Sequence, residues 1–187
     1  KGKIGIWDDI VTKEGWIRNT ILFGKYRLLH KLGTGRAGTV WLAVHIGLEE
    51  YRAIKRISKR DADYDTFRRE ALVLKELRHP GIPMIYDLEE DSEFFYLIEE
   101  YLEGYSLYAL IANQGPIQEA EAVRYGMQVC GLVAYMHSAC ELPILHLDLQ
   151  PNNLIICNGT VKLIDFDHAA GCRWANIAPK RFGTVGC

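Results

Sequence analysis

The sequence predicts an α+β fold in which a strand-rich first half carrying one helix gives way to a helical second half. Three observations carry that prediction. From Tyr26 the chain reads as extended segments on both sides of a glycine cluster, Gly33-Thr34-Gly35-Arg36-Ala37-Gly38. Phe67, Ala71, Leu74 and Leu77 then recur at helical spacing. Further on, two apolar segments, 154–157 and 160–164, flank Asn158-Gly159, the dipeptide that most strongly favours a two-residue hairpin.

Taken in order, residues 1–25 hold Trp7 and Trp16 but no sustained period, and read as a lead-in segment. Strands are expected over 26–32 and 41–44, joined by the glycine cluster. A G-x-G-x-x-G alone also fits a hairpin without a ligand. A dinucleotide fingerprint would run from strand into helix, whereas here both flanks are strand-like. Residues 51–57 alternate, which places Lys55 opposite the apolar face of a third strand. The helix that follows carries Glu70 beside its apolar stripe and ends near His79-Pro80, because proline blocks continuation. Strands at 84–88 and 94–98 flank an acidic turn at Glu89-Glu90-Asp91-Ser92. A short helix over 106–113 stops at Gly115-Pro116. A long amphipathic helix covers 119–138, with Ala122, Met127, Val129, Leu132, Val133 and Met136 among its apolar positions.

Composition narrows the function classes. A formal charge of −2 gives no reason to expect nucleic acid or an anionic membrane as partner. No apolar run approaches the length of a membrane span, and no signal-peptide pattern opens the chain. The five cysteines are odd in number and none are spaced C-x-x-C, which argues against zinc or a disulfide framework and for free thiols in a reducing cytosol. The chain begins with Lys1 and ends with Cys187 directly after Gly183-Thr184-Val185-Gly186, so both ends read as cut.

The chemistry concentrates in His146-Leu147-Asp148-Leu149-Gln150-Pro151-Asn152-Asn153 and in Leu163-Ile164-Asp165-Phe166-Asp167. Folding the intervening hairpin brings Asp148, Asn153 and Asp165 to one end of it. One group can then accept a proton while two hold a hard cation, which prefers oxygen ligands. A polar loop between core strands is the plainer alternative, which the hairpin alone would allow and the fixed Asp-to-Asn spacing does not favour.

These two loops resemble the catalytic and metal-binding loops of the eukaryotic-type protein serine/threonine kinases, H-R-D-x-x-x-x-N followed by D-F-G. The strand–glycine loop–strand resembles that family's phosphate-covering loop, and the ordered set of motifs runs from Tyr26 to Cys187. The resemblance implies a two-lobed fold: an N-lobe of antiparallel sheet plus one helix over 26–98, a hinge over 99–104, and a partial helical C-lobe over 105–187. It implies ATP and Mg2+ as cofactors and a protein hydroxyl as acceptor. Asp148 would orient or accept the proton of that hydroxyl, with Gln150 nearby, and Asn153 and Asp165 would hold magnesium. Lys55, positioned by Glu70, would contact the phosphates. Leu32, Gly33, Thr34, Gly35, Arg36, Ala37, Gly38, Val40, Ala53, Glu100 and Leu102 would surround the nucleotide, with Glu99 at the back of the adenine pocket as an unusually polar choice. Residues 168–186 resemble the activation segment, ending in a peptide-binding Gly183-Thr184-x-Gly186.

Three positions depart from the family. Leu147 replaces an arginine that answers to activation-loop phosphate, which predicts control independent of such phosphorylation. Gln150 replaces a lysine and supplies a hydrogen bond without a charge, so slower transfer is expected. Asp167 replaces the glycine after Asp165-Phe166 and restricts the loop backbone. These departures also suit the aminoglycoside and choline phosphotransferases, which share the H-x-D-x-x-x-x-N loop, while the glycine loop, His79-Pro80 and Gly183-Thr184-x-Gly186 favour the protein kinases. A pseudokinase that binds nucleotide without transfer is the other alternative. The family's C-lobe continues for several helices, so the chain is expected to be a fragment with apolar surface on the 119–138 helix left exposed, from a parent whose kinase domain lies in the cytoplasm.

Overall fold

The computed structural model describes residues 19–35, 38–61 and 64–171. Arg36, Ala37, most of the lead-in with Trp7 and Trp16, residues 172–187 with Gly183-Thr184-x-Gly186, and the side chain of Glu70 lie outside the described residues.

Six strands form one antiparallel sheet: β1 (Ile21–Leu22), β2 (Tyr26–Thr34), β3 (Thr39–His45), β4 (Glu50–Ser58), β5 (Ile85–Glu90) and β6 (Phe94–Glu100), in the order β1-β2-β3-β4-β6-β5. Register follows from the side-chain period of two. Leu28, Trp41, Ala43, Ile54, Tyr96 and Ile98 pack together as one buried cluster, and Ile57, Phe95 and Leu97 meet Phe67 and Ala71 of helix α1 (Tyr64–Glu76) as another. Phe67 stacks on Phe95 with ring centroids 4.8 Å apart.

Lys55 sits on the face of β4 that carries Ala53 and Ile57, not opposite the apolar face. Every residue from Arg52 to Ile57 is buried. The alternation misleads because both faces of β4 are covered: one by α1 and the cleft, the other by long side chains and rings. Arg52 lies over the Tyr86 ring at 3.8 Å and Arg56 over Phe94 at 4.4 Å, so their charges sit against π faces.

The second half holds β7 (Tyr105–Ser106), α2 (Leu107–Gln114), α3 (Glu119–Ser138), β8 (Ile144–Leu145), a 3-10 turn (Pro151–Asn153), β9 (Leu154–Cys157), β10 (Thr160–Leu163) and β11 (Ala170–Gly171). Ser106 caps α2 by accepting from the Ala109 amide at 3.1 Å. Gly115 ends α2 at φ +81, a left-handed conformation that suits glycine. The hairpin forms as its turn dipeptide predicts. Asn158 and Gly159 take φ +49 and +79, and Cys157 pairs with Thr160. The α3 stripe is partly corrected: Tyr125, Leu132 and Met136 are its buried residues, while Met127 is 71% exposed and Ala122 is also exposed. The spacing of the buried three, seven and then four residues, defines the face turned to the core.

The turn after α1 joins the two halves. The Arg78 amide donates to the Tyr135 hydroxyl of α3 at 2.7 Å, and the Leu163 amide of β10 donates to the Gly81 carbonyl at 2.8 Å. A Cβ at Gly81 would lie 2.2 Å from Leu132 Cδ1 and 3.1 Å from the Val161 carbonyl oxygen, so a side chain there would displace Leu132 and crowd β10. Lys162 and Glu100 add an ion pair of 2.6 Å between β10 and the end of β6. These contacts hold the two loops of the candidate site against the sheet. No helix among the described residues is long and apolar enough to cross a membrane.

Candidate active site

The 3-10 turn and the two strands after it deliver the site. The Asn153 side chain donates to the Asp148 carbonyl at 2.9 Å and to Asp148 Oδ2 at 3.1 Å, and Gln150 donates to the same Oδ2 at 2.9 Å. Asp148 and Asn153 are both buried. The Asn153 carbonyl accepts from the Ile164 amide at 2.9 Å, which places Asp165 next to the turn.

His146 supports both loops from below. Its Nδ1 accepts from the Asp148 amide at 3.3 Å, and its Nε2 faces the Ile164 carbonyl at 3.0 Å. That pair of contacts requires the neutral tautomer with the proton on Nε2. Burial lowers the imidazole's pKa despite the carbonyl and the carboxylates nearby, which keeps the ring neutral. Leu147 and Asp165 take φ +64 and +66, a region that costs energy for side-chain-bearing residues and persists where neighbours fix it. Here the buried Asp148 and the fully buried Phe166 hold the chain on either side.

Lys55 crosses the cleft to the second loop. Its ammonium donates to Asp165 Oδ1 at 3.0 Å and also to Asp167. The contact of Asp167 with Lys55 is not legible in the sequence, where 112 residues separate the two. Glu70 lies on α1, with its side chain outside the described residues.

A cleft of about 560 Å³ opens between the sheet and the hairpin. Leu32, Gly33, Thr34, Gly35, Gly38, Val40 and Ala53 line it from the first half, with Lys55, Glu100, Leu102, Asn153 and Asp165 completing the wall. Of the expected nucleotide-contacting residues, Arg36 and Ala37 lie outside the described residues. Ile155 and Ile164 also line the cleft and were not singled out from the sequence. Their place on the apolar strands β9 and beyond is the signal that could have found them. The glycine loop closes with the Gly35 amide donating to the Gly38 carbonyl at 2.8 Å. Gly38 has φ +150, and a Cβ there would meet the Arg56 carbonyl oxygen at 2.0 Å, so the close approach of the loop to β4 requires glycine.

Glu99 lies in the cleft wall, paired in register with Ala53 and Ile85. Its carboxylate makes no hydrogen bond among the described residues. Burial pushes its pKa up to about 7, with Lys55 opposing and the charges of Asp165 and Asp167 adding to the rise. The folded chain therefore holds this proton more tightly than the unfolded chain. Stability associated with Glu99 is fully present below the unfolded carboxyl value of about 4.5 and is lost as pH rises through about 7. Glu99→Gln is expected to stabilise the chain by about 2 kcal/mol at pH 8 and much less at pH 5. Urea denaturation at the two pH values checks this, and an equal effect at both would contradict it.

The oxygen donors of Asn153 and Asp165 on adjoining loops suit a hard cation, and a cleft with apolar walls and a lysine at one end suits a purine nucleotide. The chain is similar to several characterised proteins over the same stretch. It is 36% identical to the serine/threonine-protein kinase PrkC of Bacillus subtilis over 149 residues, covering 76% of this chain and 22% of that one. It is 34% identical to calcium-dependent protein kinase 5 of Plasmodium falciparum over 148 residues, covering 76% and 26%. With the serine/threonine-protein kinase GIN4 of Saccharomyces cerevisiae it shares 34% identity over 171 residues, 81% of this chain and 14% of that one. The chain thus spans well under half the length of these relatives. The family model described as the protein kinase domain matches residues 26–186, the stretch that holds the sheet, the cleft and both loops, and the chain belongs to that family.

Proposed function

We propose that this chain is the part of a signalling protein serine/threonine kinase that binds ATP and carries the phosphoryl-transfer machinery. One observation supports the reading above the rest: Asp148 and Asn153 share a hydrogen-bonded loop, while Asp165 from the neighbouring loop reaches Lys55 across 110 residues of sequence. The relatives named as serine/threonine-protein kinases, PrkC and GIN4, support a hydroxyl on protein as the acceptor.

In this reading Val40, Ala53 and Ile155 would hold the adenine, and backbone groups of Glu100 and Leu102 would meet its edge. The glycine-loop amides would cover the phosphates and Lys55 would contact them. Asn153 and Asp165 would hold magnesium, which when bound neutralises phosphate charge and orients the transferred group. Asp148 accepts the proton of the incoming hydroxyl, and its carboxylate is held still by the amides of Gln150 and Asn153. The catalysis rests on positioning and charge rather than on covalent chemistry by the protein. The free thiols among the described residues, Cys130, Cys140 and Cys157, suit the reducing cytosol, where we place the chain.

Labelled Mg-ATP, a basic serine- and threonine-containing protein and, separately, amino sugars and choline test the reading. Label on protein serine or threonine supports it. Label on a small alcohol alone would move the chain to a different acceptor class.

A further inference from the structure

We propose that Glu99 reads the base of the nucleotide, accepting a hydrogen bond from the amino group at C6 of adenine and turning away purines that carry oxygen there. The inference rests on the nucleotide-binding reading of the cleft and deepens it, by giving a base-selecting role to a carboxyl that the transfer chemistry does not use.

Strand register brings Glu99 to the site. Leu97 of β6 lies opposite Lys55 of β4, and Glu99 lies opposite Ala53. The period of two puts these four residues on one face of the sheet. Leu97 is fully buried in the cluster with Phe67 and Ala71 of α1, so Glu99 is the first β6 residue of that face to reach the cleft.

The two adjacent glutamates differ in what they hold. Glu100 has both carboxylate oxygens engaged: Oε1 accepts from Lys162 at 2.6 Å and Oε2 from the Met84 amide at 3.3 Å. Glu99 is half-buried, lines the cleft, and accepts no hydrogen bond among the described residues. Lys55, Asp165 and Asp167 act on it by charge. A carboxyl drawn out of water without a hydrogen bond is costly. A ligand that brings a donor to it recovers part of that cost, and one that brings an acceptor adds repulsion.

The order of the neighbouring backbone groups says which part of a base would meet it. The Glu100 carbonyl and the Leu102 amide would match the amino group and N1 of adenine in that order. That puts C6 at the end of the base nearest residue 99, with one amino hydrogen left for the carboxyl. An ionised carboxylate accepts and cannot donate, so it favours the amino group of adenine over the C6 oxygen of hypoxanthine or guanine.

The test compares dissociation constants of ADP and inosine diphosphate by calorimetry in saturating magnesium, for the chain, Glu99→Gln and Glu99→Leu. It is run at pH 8, above the value of about 7 to which burial raises the carboxyl. The phosphates are the same in both nucleotides, so effects on them cancel in the ratio. The original chain is expected to prefer ADP. That preference should fall by at least about tenfold in Glu99→Gln, whose amide can donate to the hypoxanthine oxygen, and by a smaller factor in Glu99→Leu, which neither donates nor accepts. A preference unchanged in both variants overturns the proposal and leaves the nucleotide reading standing. Equal changes for both nucleotides also overturn it, because Glu99 would then act on the phosphate end through Lys55 and not on the base. If neither the chain nor the variants bind either nucleotide, the nucleotide reading fails and the proposal fails with it.

Discussion

Asp148→Asn is expected to lower phosphoryl transfer to a serine or threonine substrate by about a thousandfold while leaving the fold and nucleotide binding intact. The hydrogen bonds around the group give the reason. Asp148 Oδ2 accepts from both Gln150 and Asn153. An asparagine can keep its one oxygen on those two donors, so the loop stays as it is. The second oxygen then becomes an NH2, which donates and cannot accept a proton. The flipped rotamer would set that NH2 against two amide donors and is disfavoured. His146 still receives the residue-148 amide on Nδ1, so the backbone at Leu147 keeps its left-handed turn. Initial transfer rates and ADP affinity, measured side by side, check the expectation. A variant that keeps more than a tenth of the activity would remove Asp148 from the proton transfer, and one that loses ADP binding as well would show the substitution to be structural.

What could be read from the sequence was local. The hairpin followed from Asn158-Gly159, because few dipeptides accept two consecutive positive φ values and the turn then sets the register of β9 and β10. The Asp148–Asn153 contact is also local, since five residues around a 3-10 turn bring the amide back onto the aspartate. Lys55 was legible as a candidate but its surroundings were not: two of its partners are 110 and 112 residues away, and the burial of both faces of β4 depends on what packs there. Glu99 shows the limit most clearly. It lies in the cleft wall paired with Ala53, its carboxylate makes no hydrogen bond among the described residues, and burial raises its pKa. The exposure of Met127 likewise depends on which α3 face meets β8 and β10, which helical periodicity alone leaves open when several apolar residues ring the helix.

Phe166→Ala is expected to cost about 3–5 kcal/mol of stability, the largest effect of any single truncation near the site. Phe166 is fully buried and meets the His146 ring edge-on at 4.8 Å between centroids. It belongs to the same cluster as Leu74 and Leu77 from the end of α1, Met136 of α3 and Leu163 of β10. Removing the ring would open a cavity where three elements converge, and close packing limits how far they can collapse into it. For a chain of this size the thermal midpoint should fall by roughly 10 °C. The functional consequence follows from position. Phe166 anchors the chain directly after Asp165, whose φ is +66, and the same ring braces the histidine that ties the Asp148 amide to the Ile164 carbonyl. Phe166→Leu keeps most of the volume and should cost less than about 2 kcal/mol while retaining nucleotide affinity in magnesium. Thermal unfolding and ADP titration of the two variants separate the contributions. If the alanine variant unfolds within a few degrees of the original chain, the three elements do not depend on this side chain. If it is destabilised yet binds Mg-ADP unchanged, Asp165 is held by the loop backbone rather than by the buried ring.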